Sequence, residues 1–118
     1  MIQKAKSWDS ALRLYKSLND EKYEPYIHFI NGVINSQYSW GLYPYTSHET
    51  LRIAQKGEIS DKDAHLEIQP LTNSKKAIFR YKGDNTLKYT WQKEVNENKL
   101  FTELERFLKE LKWVVDVG

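Results

Sequence analysis

Cysteine is absent from this chain of 118 residues. Its absence excludes disulfide bonds, thiolate metal sites and cysteine nucleophiles, and it fits a reducing compartment, so we expect a cytoplasmic protein. The chain also lacks any apolar run near the roughly 20 residues needed to span a bilayer. Its first ten residues, MIQKAKSWDS, do not contain the apolar segment of a secretory signal. We therefore predict no membrane partner.

Glycine is scarce, and neither charge predominates. The five glycines do not form a G-x-G-x-x-G or another phosphate-cradling loop, so we predict no cofactor. The 18 Lys and Arg residues nearly balance the 16 Asp and Glu residues, and the formal net charge is +2. A balance this even does not by itself predict a nucleic-acid or membrane partner.

The sequence has few residues that suggest catalysis or metal binding. Ser47, His48 and Glu49 have the residue types of a catalytic triad, but adjacent strand residues point to opposite faces and cannot act in series. His65 and Glu67 share one face of a predicted strand, and they supply only two metal ligands. We predict no catalytic residue and no metal site, which favours a protein that is not an enzyme and keeps an enzyme as the alternative.

Three stretches have the apolar spacing of helices. Residues 8–20 repeat large apolar side chains every three or four positions, with Ser7 as the N-cap and Asp9 at the positive end of the helix dipole. Pro25 fits the first turn of a second helix. Residues 98–113 combine an apolar stripe with a charged opposite side, which is typical of a helix that packs against a partner surface.

Between the second and third helices, the apolar period changes from about four to two. This alternation predicts four strands, within residues 50–53, 66–69, 76–82 and 87–95. Thr46 and Glu49 also match a capping box, so a short helix over residues 47–56 is an alternative. The alternation of Leu51 and Ile53 favours the strand.

Together these patterns predict one α+β domain, residues 1–118. It consists of two N-terminal helices, a four-stranded antiparallel meander and a C-terminal amphipathic helix packed on one sheet face. In the predicted register, the aromatic rings of the last two strands lie on one side and face the final helix. These rings belong to Phe79, Tyr81, Tyr89 and Trp91.

Basic side chains lie on the opposite side of the same two strands, namely Lys76, Arg80, Lys82 and Lys88. They form a basic stripe, which suggests a binder of single-stranded nucleic acid. The rings that such a binder stacks on bases are predicted to face inward instead. Nucleic-acid binding is therefore an alternative and not the preferred function.

Aromatic residues are concentrated in the stretch YSWGLYPYTSHET, residues 38–50, and we predict that residues 38–48 of this stretch form a loop. In one interpretation Trp40 and Leu42 fill the gap between helix and sheet, and tyrosines form the rim. In the other, exposed rings form a contact patch, because Tyr and Trp are enriched in binding hot spots. The predicted partner-binding residues are Tyr38, Trp40, Tyr43, Tyr45 and His48.

The preferred function is that of a small, non-catalytic interaction or regulatory protein that binds a macromolecule, favoured to be a protein, through residues 38–48. One alternative is a small-ligand binding protein or enzyme whose pocket is lined by Trp40, Tyr89, Trp91 and His48. A further prediction is that the apolar tail from Trp113 to Val117 pairs two copies of the chain.

Overall fold

The computed structural model describes residues 2–47, 50–71 and 75–113. It confirms the α+β class and the packing of the C-terminal helix on the sheet. Within these described residues there are three α-helices: α1 (Trp8–Ser17), α2 (Glu24–Ile34) and α3 (Leu100–Glu110). Single turns of 3₁₀ helix lie at Glu21–Tyr23, Gln37–Trp40 and Glu97–Lys99. The strands are β1 (Gln3–Lys4), β2 (Tyr43–Ser47), β3 (Thr50–Ala54), β4 (Glu58–Ile59), β5 (His65–Pro70), β6 (Lys76–Lys82) and β7 (Trp91–Asn96).

The starts of the first two helices follow from local chemistry. Ser7 caps α1, and its Oγ accepts a hydrogen bond of 3.0 Å from the backbone N–H of Ser10. Pro25 lies in the first turn of α2. N–H groups in the first turn have no acceptor within the helix, so the missing N–H of proline costs no hydrogen bond there. Gly32, in the middle of α2, lies against α3. A Cβ at that position would be 3.0 Å from Cδ1 of Phe101, so glycine allows the two helices to approach closely.

In the described part of the chain, the main sheet has five antiparallel strands in the order β2-β3-β5-β6-β7, one more than predicted. The additional strand, β2, occupies part of the stretch that we predicted to be a loop. Pro44 is compatible with this position because β2 is an edge strand, and a proline cannot donate a ladder hydrogen bond. Residues 50–54 form β3, so the strand and not the helical alternative is present there.

The helices cover one face of this sheet, which we call the core face. Leu66 and Ile68 of β5 and Phe79 of β6 are fully buried on it. Phe107 of α3 contacts both Tyr81 and Trp91, at ring-centroid distances of 5.5 and 5.7 Å. The prediction that Phe79, Tyr81 and Trp91 face the final helix is therefore confirmed.

Tyr89 is the exception to the predicted register. Strand β7 begins only at Trp91, so the predicted strand over residues 87–95 is too long at its start. The connection between β6 and β7 is closed by the N–H of Thr90, which donates to the carbonyl of Tyr81 at 2.9 Å. Tyr89 belongs to this connection and lies on the opposite face of the sheet, beside His65.

We call that opposite face the outer face. Strands β1 and β4 form a separate two-stranded sheet beside it, and Ile59 of β4 belongs to a small buried cluster with Tyr45 and Ala54. Most other side chains of the outer face are polar or charged, and Ile78 of β6 is an exception. In the part of the chain that the structure describes, no helix is long and apolar enough to cross a membrane.

Candidate functional site

The aromatic residues that we predicted to bind a partner, within residues 38–48, do not all point the same way: some rings are buried and others are exposed. Tyr38 points inward, where its ring is 6.0 Å from that of Phe101. Its hydroxyl donates a hydrogen bond of 3.0 Å to Oε2 of Glu105 on α3. Burial raises the pKa of Tyr38, and the hydrogen bond and charge of Glu105 raise it further. Tyr38 therefore joins the 3₁₀ turn to α3.

Tyr45 is buried on the outer face under the small sheet. Its hydroxyl donates a hydrogen bond of 2.5 Å to the carbonyl of Lys56. Burial raises the pKa of Tyr45 to about 12, and the nearby charges of Glu58 and Asp63 add to this effect. Tyr45 thus contributes to the structure from within and presents little area to a partner.

Trp40 and Tyr43 are the outward rings. Trp40 is 71% exposed and Tyr43 is 38% exposed, whereas Leu42 between them is buried. The backbone is fixed there because the indole N–H of Trp8 donates to the carbonyl of Leu42 at 2.8 Å. Leu42 therefore fills the gap that one interpretation assigned jointly to it and Trp40. His48, also predicted to bind a partner, lies outside the described residues.

Trp40 differs from the other three tryptophans in its exposure. Trp8 and Trp113 are buried, and Trp91 is half-buried against Phe107. Single exposed apolar residues are common in soluble proteins. Trp40, however, stands at the end of a capped 3₁₀ turn, followed by a buried leucine and an edge strand. A rigid backbone beside a large exposed ring reduces the entropy that binding costs.

A second group of side chains, which the sequence did not predict to lie together, is found on the outer face. Arg52, Glu67 and Arg80 are direct neighbours on β3, β5 and β6. Nε of Arg52 is 3.6 Å from Oε2 of Glu67, and the hydroxyl of Tyr89 donates a short hydrogen bond to the same carboxylate oxygen. The sequence shows the alternation of each strand, but it does not show which charges become neighbours.

His65 extends this group along β5. Its Nε2 is 3.1 Å from the hydroxyl oxygen of Tyr89. Because the single hydroxyl proton of Tyr89 is donated to Glu67, Nε2 of His65 carries the proton that is donated to Tyr89. Burial lowers the pKa of His65 to about 4, and the charges of Arg52 and Lys82 lower it further.

Tyr89 titrates far above neutral pH. Burial raises its pKa to about 12, and the hydrogen bond and charge of Glu67 also raise it. Efficient general acid–base catalysis favours groups with pKa values near the working pH. His65, with its pKa of about 4, and Tyr89 both lie well away from neutrality. These values do not favour proton transfer by this pair.

The predicted basic stripe is not uniform. Lys82 is buried, and its Nζ donates hydrogen bonds to the carbonyls of Asp63 and Gly83, at 2.7 and 3.3 Å. Lys76 is exposed and lies 3.9 Å from Glu94, whereas Lys88 is exposed in the connection before β7. The guanidinium of Arg80 lies 5.9 Å from the ring centroid of Tyr89.

The alternative pocket is not assembled from its predicted residues. Trp91 packs on the core face and Tyr89 on the outer face, so the sheet separates them. Trp40 is largely exposed, and His48 is not among the described residues. Among residues 2–47, 50–71 and 75–113, no group of three or more His, Cys, Asp or Glu side chains is arranged to hold a metal ion.

The largely apolar groove between the starts of α2 and α3 is a different cavity, of about 310 Å³. Phe29, Leu100 and Phe101 contribute to its walls, and Glu24 and His28 lie at its side. Glu24 and His28 are both well exposed and are 4.0 Å apart. The groove contains none of the residues predicted to line a pocket.

No protein-family model, no curated protein and no solved structure matches the chain.

Proposed function

We propose that this protein is a non-catalytic interaction domain that binds another protein through a surface centred on Trp40, with Tyr43 at its side. The observation that carries the proposal is the 71% exposure of Trp40 on a backbone held by the buried Leu42. Of the residues predicted to bind a partner, Tyr38 and Tyr45 do not belong to this surface, because their hydroxyls are engaged with Glu105 and Lys56.

The geometry favours a compact contact. Trp40 and Tyr43 are three residues apart, so their Cα atoms are separated by at most about 11 Å. Tryptophan and tyrosine bring a large contact area at a small entropic cost, and they are enriched among the residues that dominate binding energy. Truncation of one such central ring typically costs about 2 kcal/mol or more of binding energy.

The experiment is site-specific photo-crosslinking from position 40, with the same photoreactive side chain at position 87 as the matched control. Leu87 is 69% exposed, nearly the same as Trp40, but it lies in the connection before β7. We expect a defined protein to be crosslinked from position 40 and not from position 87. The purified candidate is then titrated against the unlabelled chain and its variants.

We expect Trp40→Ala to weaken binding of that purified protein by about thirtyfold or more, which corresponds to about 2 kcal/mol. Leu87→Ala is expected to leave the affinity unchanged. Both variants should unfold within about 0.5 kcal/mol of the parent, because both side chains are exposed. Equal affinity of the parent and Trp40→Ala, or an equal loss in Leu87→Ala, contradicts the proposal. If the crosslinked protein is a second copy of the chain, the surface is a self-association site instead.

A further inference from the structure

Arg80 has an unusual environment for a charged side chain. It is half-buried on the outer face, and its Nε is buried without a hydrogen bond. Among the residues that the structure describes, no Asp or Glu oxygen within 4.0 Å pairs with it, although Glu67 is its direct neighbour on β5. A partly buried cation without an anionic partner is costly, so this arrangement calls for an acceptor.

Glu67 does not supply that acceptor because its carboxylate is already engaged. It accepts the hydrogen bond from Tyr89 and lies 3.6 Å from Nε of Arg52. Nε of Arg52 is also buried without a hydrogen bond, while the Arg52 side chain is 29% exposed. Arg52 and Arg80 therefore lie on the two strands beside that of Glu67, so two cations accompany one carboxylate and leave one positive charge in excess.

The other charged groups near this cluster do not remove the excess. Lys82 donates to two carbonyls, and burial lowers its pKa although the charges of Asp63, Asp84 and Asp61 oppose this effect. Asp63 accepts from the backbone N–H of Ser60 and lies 3.6 Å from Lys56. His65 is neutral at pH 7 because its pKa is about 4.

We infer that the outer face carries a binding site for a carboxylate group of another molecule, held by Arg80 and Arg52 beside the Tyr89 ring. The charge argues for this ligand, since the cluster has one uncompensated positive charge and a carboxylate has one negative charge. The geometry also fits, because a planar guanidinium can donate two parallel hydrogen bonds to a carboxylate. β3 and β6 are separated by one strand, and such strands lie about 10 Å apart in a sheet. Two arginine side chains are long enough to reach one carboxylate from opposite sides across that distance.

The site is distinct from the surface centred on Trp40, and the two inferences are tested separately.

The chain has four arginines, and the other two, Arg13 and Arg106, are exposed on helices. Their Nε–H resonances are therefore internal controls in an NMR titration of the whole chain. The probes are acetate, a free carboxylate, and a blocked tri-glutamate peptide, which presents protein side chains, both at constant ionic strength.

We expect the Nε–H resonances of Arg52 and Arg80 to shift along a saturating curve with acetate or with the peptide. The probe that saturates at the lower concentration identifies the source of the carboxylate. Arg13 and Arg106 should shift little and without saturation. Equal, non-saturating shifts of all four arginines mean general charge screening and overturn the inference. Tighter binding of inorganic phosphate or of a single-stranded oligonucleotide assigns the arginines to phosphate and also overturns it.

Two variants should change the affinity in opposite directions. Arg80→Gln removes the unpaired charge and should weaken carboxylate binding about tenfold, while Arg106→Gln, an equal loss of charge, should leave it within about twofold. Glu67→Gln adds a second uncompensated charge and should tighten binding. A general loss of structure would weaken carboxylate binding in both variants. Opposite changes in affinity therefore show that the charges act on the ligand and that the variants are folded. If Arg80→Gln does not fold, Arg80→Lys replaces it in the experiment. Lysine keeps the positive charge but cannot donate two parallel hydrogen bonds, so an unchanged affinity of Arg80→Lys contradicts the inference.

Discussion

The two faces of the sheet differ in what fixes their side chains. On the core face, Phe79 and its neighbours are buried against α3 and are held by the exclusion of water. On the outer face, Glu67 is only 7% exposed although it is charged, and it is held by a hydrogen bond from Tyr89 and the nearby guanidinium of Arg52. The core face depends on shape and apolar area, whereas the outer face depends on individual polar partners.

The largest effect is expected on the core face. Phe79→Ala removes a fully buried ring next to the helices and should lower the free energy of unfolding by about 3–5 kcal/mol. Urea denaturation measures this change. Ile78→Ala, the next position on the same strand, is the matched control because Ile78 is only half-buried and points to the outer face. A similar loss in both variants contradicts the difference between the two faces.

An intermediate effect is expected from the buried carboxylate of the outer face. Glu67→Gln keeps the shape of the side chain but removes the negative charge that accepts from Tyr89 and lies beside Arg52, and it should cost about 2 kcal/mol of stability. Glu94→Gln on β7 is the control, since Glu94 is exposed and should change stability by less than about 0.5 kcal/mol. If both variants unfold alike, the outer face is not held by this charge.

At neutral pH the smallest effect is expected from His65, because its contribution to stability changes only in acid. Burial holds its pKa in the folded protein at about 4, below the ordinary value of 6.5, so the unfolded chain binds the proton more readily. Its contribution to stability is complete above pH 6.5 and is lost as the pH falls from there towards about 4. His65→Gln should flatten the fall in stability across this interval.

Denaturation at a series of pH values measures the slope. His28→Gln is the matched control, because His28 is exposed on α2 and its loss should leave the slope unchanged. An unaltered slope in His65→Gln contradicts a buried, neutral histidine on the outer face.

Much of the fold follows from periodicity in the sequence. The helical spacing around Trp8 and in the last helix predicts α1 and α3, and the alternation at Phe79 and Tyr81 predicts which side of β6 faces the core. These predictions succeed because a helix or a strand presents every third or fourth, or every second, side chain to one face. The alternation at Leu51 and Ile53 similarly predicts β3, which the structure contains.

The candidate sites follow from the sequence only in part. The concentration of aromatic residues near Trp40 marks an unusual segment, but composition does not show which rings become exposed. Tyr38 and Tyr45 turn inward because their hydroxyls find acceptors on distant residues, Glu105 and Lys56. Nothing local to residues 38–48 encodes those acceptors, and so exposure cannot be assigned ring by ring from the sequence.

The amino-acid sequence alone determines the α+β class, the amphipathic elements and the inward direction of most large side chains, because these depend on local spacing. The tertiary structure decides that Tyr89 crosses to the outer face. The connection that carries it is tied down by long-range hydrogen bonds, from the N–H of Asn85 to the carbonyl of Lys62 and from the N–H of Ala64 to Asp84. Contacts between residues about 20 positions apart thus place Tyr89 beside Glu67, and no local pattern specifies them.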